Sequence, residues 1–146
     1  PERLDTAAQL GGAPLAPGDG LLDEVMRLTH GEGMPVVIEA TGNAKAMEST
    51  VDLVAAGGRV VIVGLVKKGT MVAFPGLDFT RKEMTIVGSR ASVGCFPESL
   101  DLIASGKIHY PEIASRFALK DAPPLFERLA NPGSGLHKAV FLKEPA

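Results

Sequence analysis

Apolar positions along this chain change their period several times, and each change marks an element. At the start, "ERLDTAAQ" puts Leu4, Ala7 and Ala8 on one helical face. Pro1 and Glu2 sit in the first turn, and Gly11-Gly12 provides the stop. Residues 18–33 predict a second helix, with Asp19 as N-cap and Asp23 and Glu24 in the positive first turn. Leu22, Val25, Met26 and Thr29 form its apolar face. The next run, Val36 to Thr41, reads as a strand. Met47, Val51, Val54 and Ala55 then return to helical spacing, capped by Asn43 and ended by Gly57-Gly58. "RVVIVG", residues 59–64, is an unbroken apolar run of the kind buried on both faces. Strand, helix and strand joined by short glycine-rich links predict a βαβ unit with parallel strands and a right-handed crossover.

Beyond Gly64 the rhythm loosens. A turn is expected at Lys68-Gly69 and a break at Pro75-Gly76, followed by a short strand, "MTIVGS". "FPESLDLIASGK" predicts a helix with Phe96, Leu100 and Ile103 on one side, stopped by Gly106. "SRFAL" suggests a short strand. A last helix follows, with Asp121 as cap, Pro123 and Pro124 in the first turn, and Phe126 and Leu129 packing inward. "KAVFLK" closes the chain as a strand. No internal repeat or second domain is visible, so the expected fold class is α/β, a doubly wound parallel sheet.

Composition narrows the function classes. The 146 residues suffice for one domain with a core. A net charge of −2 without basic clusters argues against nucleic acid or a membrane surface as main partner. No apolar run is long enough to span a bilayer. Cys95 is the single cysteine, so neither an internal disulfide nor a cysteine-built zinc site is expected, and the cytoplasm is the expected compartment. His30, His109 and His137 lack companion ligands at metal-binding spacing. The expectation is therefore no metal and no catalytic residue in this chain.

The candidate chemistry lies at strand ends. In an open parallel sheet, ligands bind outside the carboxyl ends of the strands. Thr41-Gly42, Val63-Gly64-Leu65 and Gly88-Ser89-Arg90 each place glycine at such an end. Glycine there admits a ligand close to the backbone, or simply permits a tight turn. Thr41 adds a hydroxyl, and free peptide groups can bind a ribose or an amide. Glu39 is a carboxylate inside an apolar strand, acceptable if it is paired with a neighbouring backbone donor or exposed at the rim.

The stretch "EATGNAKAMESTVDLVAAGGRVVIVGL" resembles the nucleotide domain of the medium-chain dehydrogenase/reductase superfamily, nearest its zinc-type polyol and sugar-acid branch. The likeness continues through "TRKEMTIVGSRASVGCFPESLDLIASGKI", "SRFALKDAPPLFERL" and "GLHKAVFL". The resemblance implies a partial NAD(P)-binding Rossmann-like domain over residues 1–146, lacking the first two strands of the 3-2-1-4-5-6 order. With no initiator Met and a helix opening the sequence, the chain reads as a piece of a longer protein. The catalytic zinc domain is expected to lie outside it, zinc belonging to the parent enzyme only.

The resemblance also implies site residues. Arg3 matches the family's arginine near adenine or the adenosine ribose, or is a solvated arginine at a helix start. Thr41 and Gly42 match the strand end beside the adenosine half. Val63, Gly64 and Leu65 match the end that meets the nicotinamide ribose. Ser89 and Arg90 fall in the loop approaching the carboxamide. Lys138 matches a basic residue at the pyrophosphate, or is simply solvated. The implied cofactor is NAD or NADP, and the implied substrate of the parent enzyme a small alcohol, polyol or sugar acid. A homo-oligomer, a dimer through the strand around Met84 to Gly88, is implied as well. No G-x-G-x-x-G is present, so the chain alone is expected to bind NAD(H) weakly or not at all and to be inactive. Three functions follow: a zinc-type alcohol dehydrogenase, a zinc-free quinone-reductase-like oxidoreductase of the same superfamily, or a non-enzymatic nucleotide-binding or assembly module.

Overall fold

Runs of small β-branched residues bury well only when stacked strands present them to a helix, and this chain builds that arrangement. The computed structural model describes residues 2–108, 114–131 and 135–143. The expected first-turn Pro1 and the histidine at position 109 lie outside them. In order the elements are α1 (Glu2–Gln9), α2 (Leu21–Leu28), β1 (Met34–Glu39), α3 (Ala44–Leu53), β2 (Val54–Ile62), α4 (Gly76–Lys82), β3 (Thr85–Gly88), α5 (Phe96–Ala104), β4 (Ala114–Ala118), a 3-10 turn (Leu119–Asp121), α6 (Ala122–Leu129) and β5 (Lys138–Leu142). They fall into two compact units, residues 15–91 and residues 1–14 with 92–146.

The 15–91 unit holds a three-stranded parallel sheet in the order β1-β2-β3. Val37 pairs with Val60 and Val60 with Ile86, so these three side chains share a face. Onto that face pack Val51 and Val54, and with Val60 and Met84 they form the buried core, which Phe74 and Ile62 flank. The alternate positions Val36, Ile38 and Val87 point the other way and are exposed. The helix expected before β1 forms, but its N-cap is Gly20 and makes no side-chain bond, so Asp19 is not the cap. Val25 is its buried residue.

Asn43 caps α3 as expected, its side-chain oxygen accepting from Lys45 N at 2.9 Å and Ala46 N at 3.2 Å. The stop is different. α3 ends at Leu53, not at Gly57-Gly58, and Val54 is already extended. A cation from elsewhere in the chain meets this end: Lys82 Nζ donates to the carbonyls of Val51, Asp52 and Val54 at 2.7, 3.1 and 2.9 Å. A cation here complements the helix dipole and takes up the carbonyls that a helix end leaves unpaired. Gly58 serves close packing and not the helix stop, since a Cβ there would press on the Val54 side chain and on the Pro35 carbonyl. Within α3, Glu48 accepts from Ala73 N at 3.1 Å and from Lys45 Nζ at 3.0 Å. The Ala73 amide, then Lys45, hold its carboxyl below the ordinary range.

α4 falls where only a break at Pro75-Gly76 was expected. Pro75 stands at its N-cap, Asp78 in its first turn, and Arg81 and Lys82 in its last, the charge order that suits a helix dipole.

In the other unit α1 forms as the pattern predicts and closes through Gly11 N to Ala8 O and Gly12 N to Ala7 O, with Gly11 at φ +87°. β4 and β5 pair in parallel, Ala114 opposite Lys138 through Ala118 opposite Leu142. Phe96, Leu100 and Ile103 do share a side of α5, and that side is exposed. In α6 the buried residue is Leu125, not Phe126. Leu125 and Leu129 are four apart and share a face, whereas Phe126 is turned outward and lies against Phe141 with ring centroids 5.8 Å apart. Asp121 precedes α6 but makes no side-chain capping bond.

Candidate functional site

Because β1, β2 and β3 are parallel and in register, their carboxyl ends lie side by side. Glu39 is opposite Ile62, and Ile62 opposite Gly88. The segments leaving those ends are stitched together. Val63 N and Gly64 N both donate to Glu39 O, at 2.8 and 2.9 Å, and Ser89 N donates to Ile62 O at 2.8 Å. This gathers Thr41, Gly42, Val63, Gly64, Leu65 and Ser89 on one rim, with Arg90 next in the chain.

The three glycines are not equivalent. A Cβ on Gly64 would strike Gly42 N, Glu39 Oε2 and, at 2.8 Å, Gly42 Cα. A Cβ on Gly42 would strike Leu65 O, and Gly42 also has φ +69°. Gly42 and Gly64 therefore let two strand ends touch each other. Beside Gly88 the space is open, with nothing within 4 Å of the position a Cβ would take.

Glu39 organises this contact. It is only 4% exposed, and its Oε1 accepts from Thr41 N at 2.7 Å, from the Thr41 hydroxyl, and from Gly42 N at 3.0 Å. Charge-assisted bonds of this kind offset the cost of burying a carboxylate. Of the two settings the sequence allows Glu39, paired with a backbone donor or exposed at the rim, the structure shows the first, in a wider network than the sequence announces. Its only signal was a lone acid two residues ahead of Thr-Gly. Thr41 Oγ1 in turn accepts from Asn43 N at 3.1 Å. The N–H groups of residues 41–43, 63 and 64 thus all have acceptors inside the chain. The Thr41 hydroxyl proton is committed too, and the oxygen can only accept from a ligand. Such a rim suits partners that donate, such as hydroxyl or amide N–H groups.

Thr41, Val63, Leu65, Ser89 and Arg90 are exposed. Arg3, on α1, and Lys138, on β5, are exposed residues of the other unit. There α1 is tied to the residue before β5 by Thr6 Oγ1 and His137 Nε2, 3.1 Å apart. A groove of about 390 Å³ that the sequence did not announce lies between the start of α2 and α3, lined by Pro17, Leu21, Leu22, Lys45, Asp52 and Leu53 among others; none of the expected site residues lines it. Among the described residues, no three His, Cys, Asp or Glu side chains gather to hold a metal ion. These residues do not fit a zinc centre. Among them, too, no helix is long and apolar enough to cross a membrane.

A parallel α/β sheet with its strand ends gathered at a glycine-lined rim is Rossmann-like nucleotide-binding architecture. The chain belongs to the zinc-binding dehydrogenase family, whose sequence profile matches residues 1–105. It is 31% identical over 124 residues to sorbitol dehydrogenase 1 of Saccharomyces cerevisiae, covering 83% of this chain and 34% of that protein. Among solved structures, alcohol dehydrogenase TADH from Thermus sp. ATN1 superimposes with a TM-score of 0.86 at 30% identity, covering 97% of this chain and 41% of that one. A protein of zinc-binding dehydrogenase type from Sinorhizobium meliloti 1021, solved bound to NADP, superimposes with a TM-score of 0.68 at 31% identity over 76% of this chain and 32% of that one. The chain spans about a third of the length of the curated relatives it matches.

Proposed function

We propose that this chain is the larger part of the NAD(P)-binding half of a zinc-type alcohol or polyol dehydrogenase. The observation that carries the reading is the rim itself: three parallel strand ends in register, two keyed together at Gly42 and Gly64 and the third left bare at Gly88. That bare backbone and the acceptor character around Thr41 fit the hydroxyls and carboxamide of a dinucleotide. Thr41 and Gly42 would lie by its adenosine half, Val63, Gly64 and Leu65 by the nicotinamide ribose, and Ser89 and Arg90 by the carboxamide. Arg3 is assigned to the adenosine and Lys138 to the pyrophosphate, as cations that can meet an anionic ligand. When bound, NAD(P) supplies a hydride acceptor or donor for an alcohol and its carbonyl product. The residues of this chain bind and orient it, and the family to which the chain belongs supports a polyol or sugar acid as substrate.

Two further assignments go with this reading. β3 is a short edge strand with Val87 37% exposed, and pairing with its copy about a two-fold axis would cover it and give a dimer. The exposed thiol of Cys95 suits the reducing cytoplasm. The experiment is a fluorescence titration of the full-length protein encoded by the native gene with NADH and with NADPH. Binding of one or both at micromolar concentration is expected. Failure of both to bind overturns the proposal.

A further inference from the structure

Glu39 is the one buried charged side chain among the described residues. An apolar residue of similar size would pack in the same place without the penalty of taking a charge out of water. The carboxylate is 4% exposed and faces its own turn: Oε1 accepts from Thr41 N, the Thr41 hydroxyl and Gly42 N, and Oε2 lies 3.4 Å from Gly42 N. Its explanation has to come from what those bonds hold in place.

Resting on the dinucleotide reading above, we infer that Glu39 is a positioning residue that sets the cofactor floor. One residue governs two strand ends. Its carboxylate draws the Thr41-Gly42 turn back over β1, while its main-chain oxygen receives Val63 N and Gly64 N from the segment that leaves β2. The closeness of Gly42 to Gly64 is the result, and only glycines allow it. The effect extends one step further. Thr41 Oγ1, fixed by Glu39, accepts from Asn43 N, and Asn43 caps α3. The turn, the neighbouring strand end and the start of the helix therefore share one anchor.

A residue that merely stabilises the fold and one that positions the floor behave differently in Glu39→Gln. The amide oxygen can replace Oε1 as acceptor. The amide NH2 then faces Gly42 N, which lies 3.4 Å from Oε2 in the native pair, and two donors oppose each other. Volume is kept while the turn is pushed open.

The test uses the full-length native protein, its Glu39→Gln, Glu39→Ala and Thr41→Val variants, and three readouts: hydrogen exchange without cofactor, NADH affinity by fluorescence, and thermal melting. In Glu39→Gln, exchange in segments 39–45 and 62–66 is expected to quicken about tenfold and NADH to bind about tenfold more weakly, the ratio set by one lost charge-assisted hydrogen bond. Exchange elsewhere stays native and melting remains a single transition. Thr41→Val quickens exchange in the same segments by a smaller factor, and this readout alone keeps the test open should Glu39→Ala fail to fold. Faster exchange throughout the chain, in step with a lower melting point, would make Glu39 a stability residue and overturn the inference. So would native exchange and native affinity in Glu39→Gln. If the wild type binds no NADH, the proposed function falls, and the exchange arm still decides whether Glu39 anchors the two strand ends.

Discussion

Replacing Gly64 by Ala adds one methyl group where the chain has no room for it. The new Cβ would meet Gly42 Cα at 2.8 Å and come closer still to Gly42 N and Glu39 Oε2, whereas ordinary contact begins at 3.4 Å. The obstacles are backbone and a buried carboxylate, neither of which can swing aside, so the strand ends must part by at least about half an ångström. Overpacking of this kind costs about 1–3 kcal/mol. The same displacement strains the bonds from Val63 N and Gly64 N to Glu39 O, each worth about 1 kcal/mol. A loss of about 3 kcal/mol follows, or roughly 10 °C in melting temperature for a domain of this size. The assay is thermal and urea unfolding of the full-length protein beside two control substitutions. Gly57→Ala meets nothing within 4 Å but keeps φ +70°, so about 1 kcal/mol is expected. Gly88→Ala meets nothing and has ordinary φ, so its effect should stay within about 0.5 kcal/mol. If Gly64→Ala proves as mild as Gly88→Ala, the two strand ends do not touch and the reasoning about the rim fails.

Lys82→Met keeps the aliphatic stem and removes the ammonium from the carbonyls of Val51, Asp52 and Val54, which should cost about 1–3 kcal/mol in urea unfolding; wild-type stability in this variant would contradict the capping role. For Glu48 the folded carboxyl titrates below its ordinary range because Ala73 N and Lys45 favour the charged form. Its stabilisation is present above the range in which the unfolded chain titrates and is lost as pH falls through the lower, folded value. Glu48→Gln should therefore make the acid limb of a stability-against-pH curve shallower, and an unchanged slope would count against the Ala73 contact.

Much of the 15–91 unit could be read from period alone, because β1, α3 and β2 are long enough for helical or strand spacing to show. The glycines at positions 42, 64 and 88 could be placed at parallel strand ends for the same reason. What escaped the reading depends on contacts distant in sequence. The end of α3 is capped by Lys82, about thirty residues further on, and no local signal at Gly57-Gly58 announces that contact. α4 has seven residues and little apolar periodicity, so Pro75, Asp78 and the Arg81-Lys82 pair were its only marks. In α6 a one-residue error of phase exchanged Phe126 for Leu125, because both are large and apolar and only the packing distinguishes them. The role of glycine at the rim was half visible: composition announces close approach, but not that the approaching group at Gly64 is Gly42 of the same chain.

Control of α3 by residues outside it bears on how the chain can be divided. Asn43 precedes the helix, Glu48 reaches across to Ala73, and Lys82 closes the far end. The shortest segment able to hold this strand–helix–strand motif with its core therefore runs through position 84. A boundary drawn at the proline-glycine break, where the sequence invites a cut, would leave that helix with an open terminus and a core without Met84.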